Sequence, residues 1–334
     1  MGIKIGINGL GRIGRMIIRS LIENNNKRIE IKHINSRSTA KVVSSLLKYD
    51  SIHGKFNCKI KHGDNHLIIN GKKIMFSQHS NLNEIKWGNF GVDYVLECTG
   101  KFNSKDKLIA HIKNGAKKVI VSAPCKNADK TIVYGVNHKS INKNDLVISA
   151  ASCTTNCLAP VAYVINEEFR IEKGFMTTIH SYTTDQRLLD NSHKDPRRAR
   201  SAGQSIVPTS TGASKTLGEI IPELKGKLEG LAIRVPTPNV SLIDFVFNTK
   251  SKLTVKKIND SFLNASKKEL KNILSTTQEK LVSIDFNHNP NSAIVDLSLT
   301  NVVGDNMGKV SAWYDNEWGF ASRMNDLAEY IHKI

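Results

Sequence analysis

The chain has 334 residues, 40% hydrophobic and 23% charged, with 22 Gly, 8 Pro and a formal charge of +18. That length exceeds one ordinary core and predicts two domains, and the composition excludes collagen-like, low-complexity and disordered classes. The lysines are scattered rather than gathered into one arm, so the charge suits small polyanions such as phosphorylated metabolites and cofactors. A nucleic-acid or surface-binding protein is the alternative from another class. The first residues lack the charged region, apolar core and cleavage site of a signal peptide, and no apolar run of about 18 residues is long enough to span a bilayer. A cytoplasmic protein without a membrane partner is expected. Five scattered cysteines with no CxxC pair predict neither a disulfide framework nor a metal site.

In chain order, "IKIGING" is a short apolar run of the kind a buried parallel strand shows, and "RMIIRSLIENN" has helical spacing. Between them lie Gly9, Gly11, Arg12, Ile13 and Gly14, a GxGxxG pattern in the strand–turn–helix context that a dinucleotide site requires. Glycines there permit a tight turn, and backbone N–H groups at the helix start favour a pyrophosphate. A second strand, "IEIKHIN", ends at Asn35, where an acidic residue usually binds the adenosine ribose. Ser36 and Arg37 follow instead. A carboxylate would repel a 2′-phosphate, whereas a hydroxyl and a guanidinium can donate to it, so the pair predicts that NADP is accepted. The runs "YVLECTG", "KVIVSAP" and "LVISAAS", with "SKDKLIAHIKNGA" as an amphipathic helix, extend the alternation into a doubly wound parallel α/β sheet.

Cys153 follows that last strand, in "ASCTTNCLAP", and opens a helical pattern that contains Pro160. A helix N-terminus favours a thiolate and offers N–H groups to an oxyanion. Cys157, one turn on, reads as a packing thiol. His180 ends the β-rich run "FMTTIH", with Thr183 and Asp185 close behind, which makes it a candidate base as well as a candidate structural residue.

Six segments, "INGLGRIGR", "ASCTTNCLAP", "TTIHSYTTDQ", "RRARSAGQSIVPTSTGASK", "AIRVPTPNVS" and "WYDNEWGF", run in order along nearly the whole chain and together resemble phosphorylating glyceraldehyde-3-phosphate dehydrogenase. The resemblance implies that Cys153 is the nucleophile and His180 its base, and that a thioester is cleaved by inorganic phosphate. It implies anion contacts at Ser152, Thr154, Thr183, Thr211, Gly212, Arg234 and Arg198 or its neighbour Arg197. It also implies cofactor contacts at the glycine-turn residues, Thr99, Ser122 and Asn316. A Rossmann dinucleotide domain over residues 1–152, completed by a helix over 317–334, and an α+β catalytic domain over 153–316 with a mostly antiparallel sheet are implied as well. "GLAIRVP", "SLIDFVFNT", "LVSIDFN" and "KVSAWYD" are expected as strands of that sheet. The segment from Asp185 to Val207 resembles a loop that reaches a neighbouring subunit's cofactor in a homotetramer.

Asn191 and Ser192 stand where strictly NAD-using members carry leucine and proline, and NADP-accepting members are similar in having the serine. Ser80 stands where an arginine is frequent, and Phe320 where a tyrosine is. The balance predicts NADP accepted and preferred, with NAD as the other cofactor. "SIDFNHNPNSAIVD" is similar to the erythrose-4-phosphate dehydrogenase branch, which remains the alternative enzyme.

Overall fold

The computed structural model describes residues 2–334, which divide into two compact units. The first comprises residues up to Tyr134, His138–Ser152 and Ala321–Ile334. Its nine-stranded sheet runs in the order Lys130–Thr131, Val147–Ser149, Lys118–Val121, Tyr94–Glu97, Ile3–Asn8, Ile29–Asn35, Lys72–Ser77, His66–Ile69, Ile60–His62. Every pairing from Lys130–Thr131 through Lys72–Ser77 is parallel, and antiparallel hairpins finish the far edge. The central strand Ile3–Asn8 is buried along almost its whole length, as a parallel strand covered on both faces must be. Helices Arg12–Glu23, Ala40–Lys48 and Lys105–Lys113 alternate with these strands, which is the doubly wound pattern. Thr39 caps the second of them, its hydroxyl accepting from Val42 N.

The second unit comprises Gly135–Asn137 and Cys153–Phe320. Its mostly antiparallel sheet runs Val207–Ser210, Leu228–Val235, Ile171–Ser181, Ser241–Thr249, Met307–Tyr314, Ala293–Asp296, Leu274–Thr277, with Asn301–Val303 paired to Met307–Tyr314. Ser241–Thr249 alternates strictly, burying Ser241, Ile243, Phe245, Phe247 and Thr249 on one face. Helix Cys153–Phe169, apolar on nearly every side, is buried among the strands and the helices Ala213–Ile220 and Val255–Lys267. Pro160 lies inside it and supplies no N–H to the ladder.

One expected strand is absent. "LVSIDFN" is a 3-10 turn over Ser283–Phe286, with Val282 and Ile284 exposed and only Phe286 buried. The Asp285 carboxylate accepts from Val282 N at 2.8 Å, and this local bond turns the chain where alternation alone suggests a strand.

Candidate functional site

The residues singled out by sequence fall into two groups, one in each unit. In the second unit, period-2 alternation puts Met176, Thr178 and His180 on one buried face of Ile171–Ser181. Helix Cys153–Phe169 opens with Cys153, and its Sγ lies 3.5 Å from His180 Nε2. His180 is paired in parallel register with Arg234, so two adjacent strands deliver imidazole and guanidinium to the same point. Arg234 Nη1 is 2.5 Å from His180 Nδ1 and 3.1 Å from the Ser181 carbonyl oxygen, and Nδ1 is 2.7 Å from that oxygen.

These contacts cannot all be hydrogen bonds for one tautomer. A proton on Nδ1 donates to Ser181 O, and Arg234 then donates to the same carbonyl. That tautomer leaves the Nε2 lone pair facing the Cys153 thiol. Burial, reinforced by the Arg234 charge and opposed by the Ser181 carbonyl, lowers the His180 pKa to about 3. The imidazole is therefore neutral at ordinary pH. Burial also pushes the Cys153 thiol up, against the pull of Arg234 and the hydrogen bonds of Thr154. Desolvation of Cys153 thus works against the preference of a helix start for the thiolate.

Behind Cys153, Tyr314 bridges Thr154 and Thr178 through its hydroxyl at 2.9 and 2.8 Å. The Thr154 side chain is therefore turned inward. Asn316 is buried, and its Oδ1 accepts from the hydroxyls of Ser181 and Ser241, both at 2.9 Å. Val240, just before Ser241, is buried with φ +65°, a backbone region costly for a β-branched residue.

Arg198 donates to Asp185 at 2.6 Å and to Thr209 at 2.9 Å, while Arg197 is exposed and reaches only Pro208 O. Asp185 therefore engages Arg198, not His180. Thr211 accepts from Ala213 N, and Gly212 precedes the helix Ala213–Ile220. Thr183 is half-buried, and Ser192 is exposed with its hydroxyl on Asn191. Cys157 is fully buried, its Sγ 3.8 Å from Ala312 O.

In the first unit a groove of about 320 Å³ is lined by Asn8 to Gly11, Asn35 to Ser38, His79, Ser80, Leu82, Cys98, Thr99, Lys101 and Phe102. Gly9 holds φ +94°, and a Cβ on Gly14 would lie 2.1 Å from Gly9 O, so the turn closes only without side chains there. A Cβ on Gly11 would meet nothing, which leaves backbone N–H groups open to the groove. Ser36 and Arg37 both line it, and no acidic residue does so among the described residues.

Other expected members stand back from it. Arg12 forks onto Asp50 at 2.5 and 3.0 Å. Burial alone would raise the Asp50 carboxyl, but Arg12 and the N–H groups of His53 and Ile52 hold it well below the usual carboxylate range. Ile13, Gly14 and Ser122 do not line the groove, and Ser122 hydrogen-bonds Cys98. Thr99 does line it, yet both its donors point away, to Glu97 Oε1. Tyr314, Asp50 and Glu97 escaped sequence reading; Tyr314 lay inside the "WYDNEWGF" segment, and the other two carried no local signal.

Family models for the NAD binding domain and the C-terminal domain of glyceraldehyde 3-phosphate dehydrogenase match residues 3–105 and 152–316. The chain is 48% identical over 332 residues to glyceraldehyde-3-phosphate dehydrogenase 2 of Bacillus subtilis (strain 168), covering 99% of this chain and 97% of that one. It is 49% identical over 334 residues to the glyceraldehyde-3-phosphate dehydrogenase of Cereibacter sphaeroides, covering 100% of both. It is 48% identical over 332 residues to that of Geobacillus stearothermophilus, covering 99% and 98%. Among the described residues no helix is long and apolar enough to cross a membrane.

Proposed function

Since this chain belongs to the glyceraldehyde-3-phosphate dehydrogenase family, we propose that it oxidises D-glyceraldehyde 3-phosphate to the acyl phosphate through a thioester on Cys153. The observation that carries the reading is the 3.5 Å approach of Cys153 Sγ to His180 Nε2. Cys153 gives its proton to His180 and attacks the aldehyde carbon, and His180 returns that proton to the developing alkoxide, forming a thiohemiacetal. His180 then takes the hydroxyl proton as the carbon loses hydride, leaving a thioester. Bound NAD(P) supplies the hydride acceptor. Inorganic phosphate attacks the thioester carbonyl, the C–S bond breaks, the acyl phosphate leaves, and the released Cys153 thiolate takes back the proton held by His180.

Arg234 raises the acidity of Cys153 and keeps His180 neutral, so one guanidinium serves both partners. In this reading Arg198, Arg234, Ser152, Thr183, Thr211, Gly212 and, through its backbone at the helix start, Thr154 hold the two phosphates. Hydroxyls, guanidinium groups and the N–H groups at a helix start are suited to them. Asn316 holds the nicotinamide amide, its Oδ1 already fixed by two hydroxyls. The open backbone at Gly11 and the cradle at Gly9 suit a pyrophosphate. Residues 1–152 with 317–334 form the cofactor domain, and 153–316 the catalytic domain.

NADP is the preferred cofactor in this reading. Ser36 and Arg37 line the groove together with Ser38 and Lys101, donors for a 2′-phosphate, while Ser80 supplies less there than the arginine frequent at its place. The enzyme is cytoplasmic and a homotetramer, with Leu188 (82% exposed), Leu189 (74%) and Ile206 (69%) covered by a neighbouring subunit. Light scattering on dilution checks the assembly: a mass of one chain removes the tetramer.

The deciding experiment measures initial rates on glyceraldehyde 3-phosphate with NAD and NADP, each with and without inorganic phosphate. Phosphate-dependent reduction, faster with NADP, is expected. Reduction confined to NAD keeps the reaction and removes the cofactor preference. Phosphate-independent turnover of erythrose 4-phosphate moves the chain to the hydrolytic branch.

A further inference from the structure

Beneath the groove of the first unit lies a buried carboxylate that the proposed chemistry does not use. Glu97 is 1% exposed, at the end of strand Tyr94–Glu97. Its Oε2 accepts from Asn8 Nδ2 at 2.6 Å and from His111 Nε2 at 3.1 Å. Its Oε1 accepts from Thr99 N at 2.8 Å and from the Thr99 hydroxyl.

The direction of each bond follows from donor chemistry. An indole N–H only donates, so Trp87 Nε1, 2.8 Å from His111 Nδ1, forces that nitrogen to accept. His111 then carries its proton on Nε2 and presents a donor to Glu97. Trp87 is itself held rigidly: a Cβ on Gly6 would stand 2.5 Å from its ring, so only glycine admits it beside the central strand. On the other side Asn35 Nδ2 donates to Asn8 Oδ1 at 2.8 Å, and the Ser77 hydroxyl and His79 N donate to Asn35 Oδ1 at 2.8 and 2.9 Å. His33 Nε2 lies 2.7 Å from the Ser77 hydroxyl, which has given its proton to Asn35 and so accepts. Two chains of donors, one from His33 through Ser77, Asn35 and Asn8 and one from Trp87 through His111, converge on Glu97.

Asn8, Asn35, His79 and Thr99 are groove-lining residues. We infer that Glu97 is the positioning residue of the cofactor groove, its carboxylate being the common acceptor that fixes Asn8, Thr99 and, through Asn8, the Asn35–Ser36 corner. Glutamine cannot replace it. In either amide orientation its NH2 group faces N–H donors that the tautomer of His111 and the backbone of Thr99 cannot withdraw. The effect precedes discrimination at Ser36 and Arg37, so NAD and NADP lose affinity alike.

The inference rests on reading this groove as the dinucleotide site. Titration calorimetry with NAD and with NADP tests it on the full-length protein, without turnover. Glu97→Gln is expected to weaken both by about tenfold or more, the scale of one unpaired buried donor, and by a common factor. His111, which lies outside the groove, supplies a second test. His111→Leu is expected to weaken both cofactors, and His111→Gln, which keeps a donor, to restore most of the loss. Val119→Ala, a core truncation of the same sheet, serves as a control at matched loss of Tm and leaves both affinities unchanged. Cys153 alkylation by iodoacetamide stays at the wild-type rate in all four variants. Affinities that follow Tm alone, or that equal wild type in Glu97→Gln and His111→Leu, overturn the inference. A wild-type chain that binds neither dinucleotide overturns the groove reading, and this inference with it.

Discussion

The Cys153 site and the groove of the first unit are made of different materials. Around Cys153 the reactive atoms are side chains: a thiol, an imidazole 3.5 Å away and a guanidinium delivered by strand register. At the groove Gly9 and Gly11 leave the turn open, and two of the lining residues, Asn8 and Thr99, are tied inward to the buried Glu97. The first site is set by particular functional groups brought into register, the second by side chains absent from a turn and by a buried acceptor beneath it.

The sharpest way to separate the two is to remove the thiol. Cys153→Ser is expected to lower kcat by at least about 10⁴-fold while leaving dinucleotide affinity unchanged by calorimetry. Equal loss of binding would show that the two regions are not independent. Next, His180→Asn should cost about 10²–10⁴ in kcat, the usual contribution of a positioned base. Its pH counterpart is read from Cys153 alkylation by iodoacetamide in the free enzyme. The thiol is raised above its ordinary 9.0 and His180 is neutral above about 3, so the rate should climb about tenfold per unit from pH 6 to 9. A plateau near pH 6 would instead reveal a preformed thiolate–imidazolium pair.

A single methyl should suffice at the groove. In Gly14→Ala the new carbon would meet Gly9 O at 2.1 Å, so about 2–3 kcal/mol of stability and most cofactor affinity should be lost, while Cys153 alkylation persists. The smallest effect is acid destabilisation. His180 titrates at about 3 and His33 at about 4 in the folded chain, both below the unfolded value of 6.5. The unfolded state therefore binds more protons between these values and 6.5, and stability falls as pH drops through that window. Roughly 1–2 kcal/mol per histidine should be gone by pH 5, and His33→Asn should flatten the urea-unfolding slope against pH. An unchanged slope would remove His33 from the account.

Legibility followed the same division. Gly9, Gly11 and Gly14 announced the groove because a strand and a helix flank them at fixed spacing, and Cys153 stood out at a helix start. The pairing of His180 with Arg234 was not legible from spacing, since it depends on parallel strands whose register is set by long-range packing. Asp185 lies close behind His180 in sequence, yet its carboxylate accepts from Arg198. The "LVSIDFN" segment misled because the alternation of a strand and the apolar rhythm of a short turn are alike until Asp285 chooses between them. Glu97 and Tyr314 were hidden for a related reason. Each draws its meaning from donors scattered through the chain, Asn8 and His111 in one case, Thr154 and Thr178 in the other.

Val240 carries a further consequence. With φ +65° at a β-branched, buried residue, the chain holds a contorted bend immediately before Ser241, whose hydroxyl fixes Asn316. Such a bend stores about 1–3 kcal/mol. Val240→Gly would release it, and thermal denaturation would show whether the added backbone freedom cancels the gain. Where the released strain exceeds that freedom, Val240→Gly melts several degrees above wild type, and the bend at Val240 is a strain held in place of stability to fix the amide at Asn316.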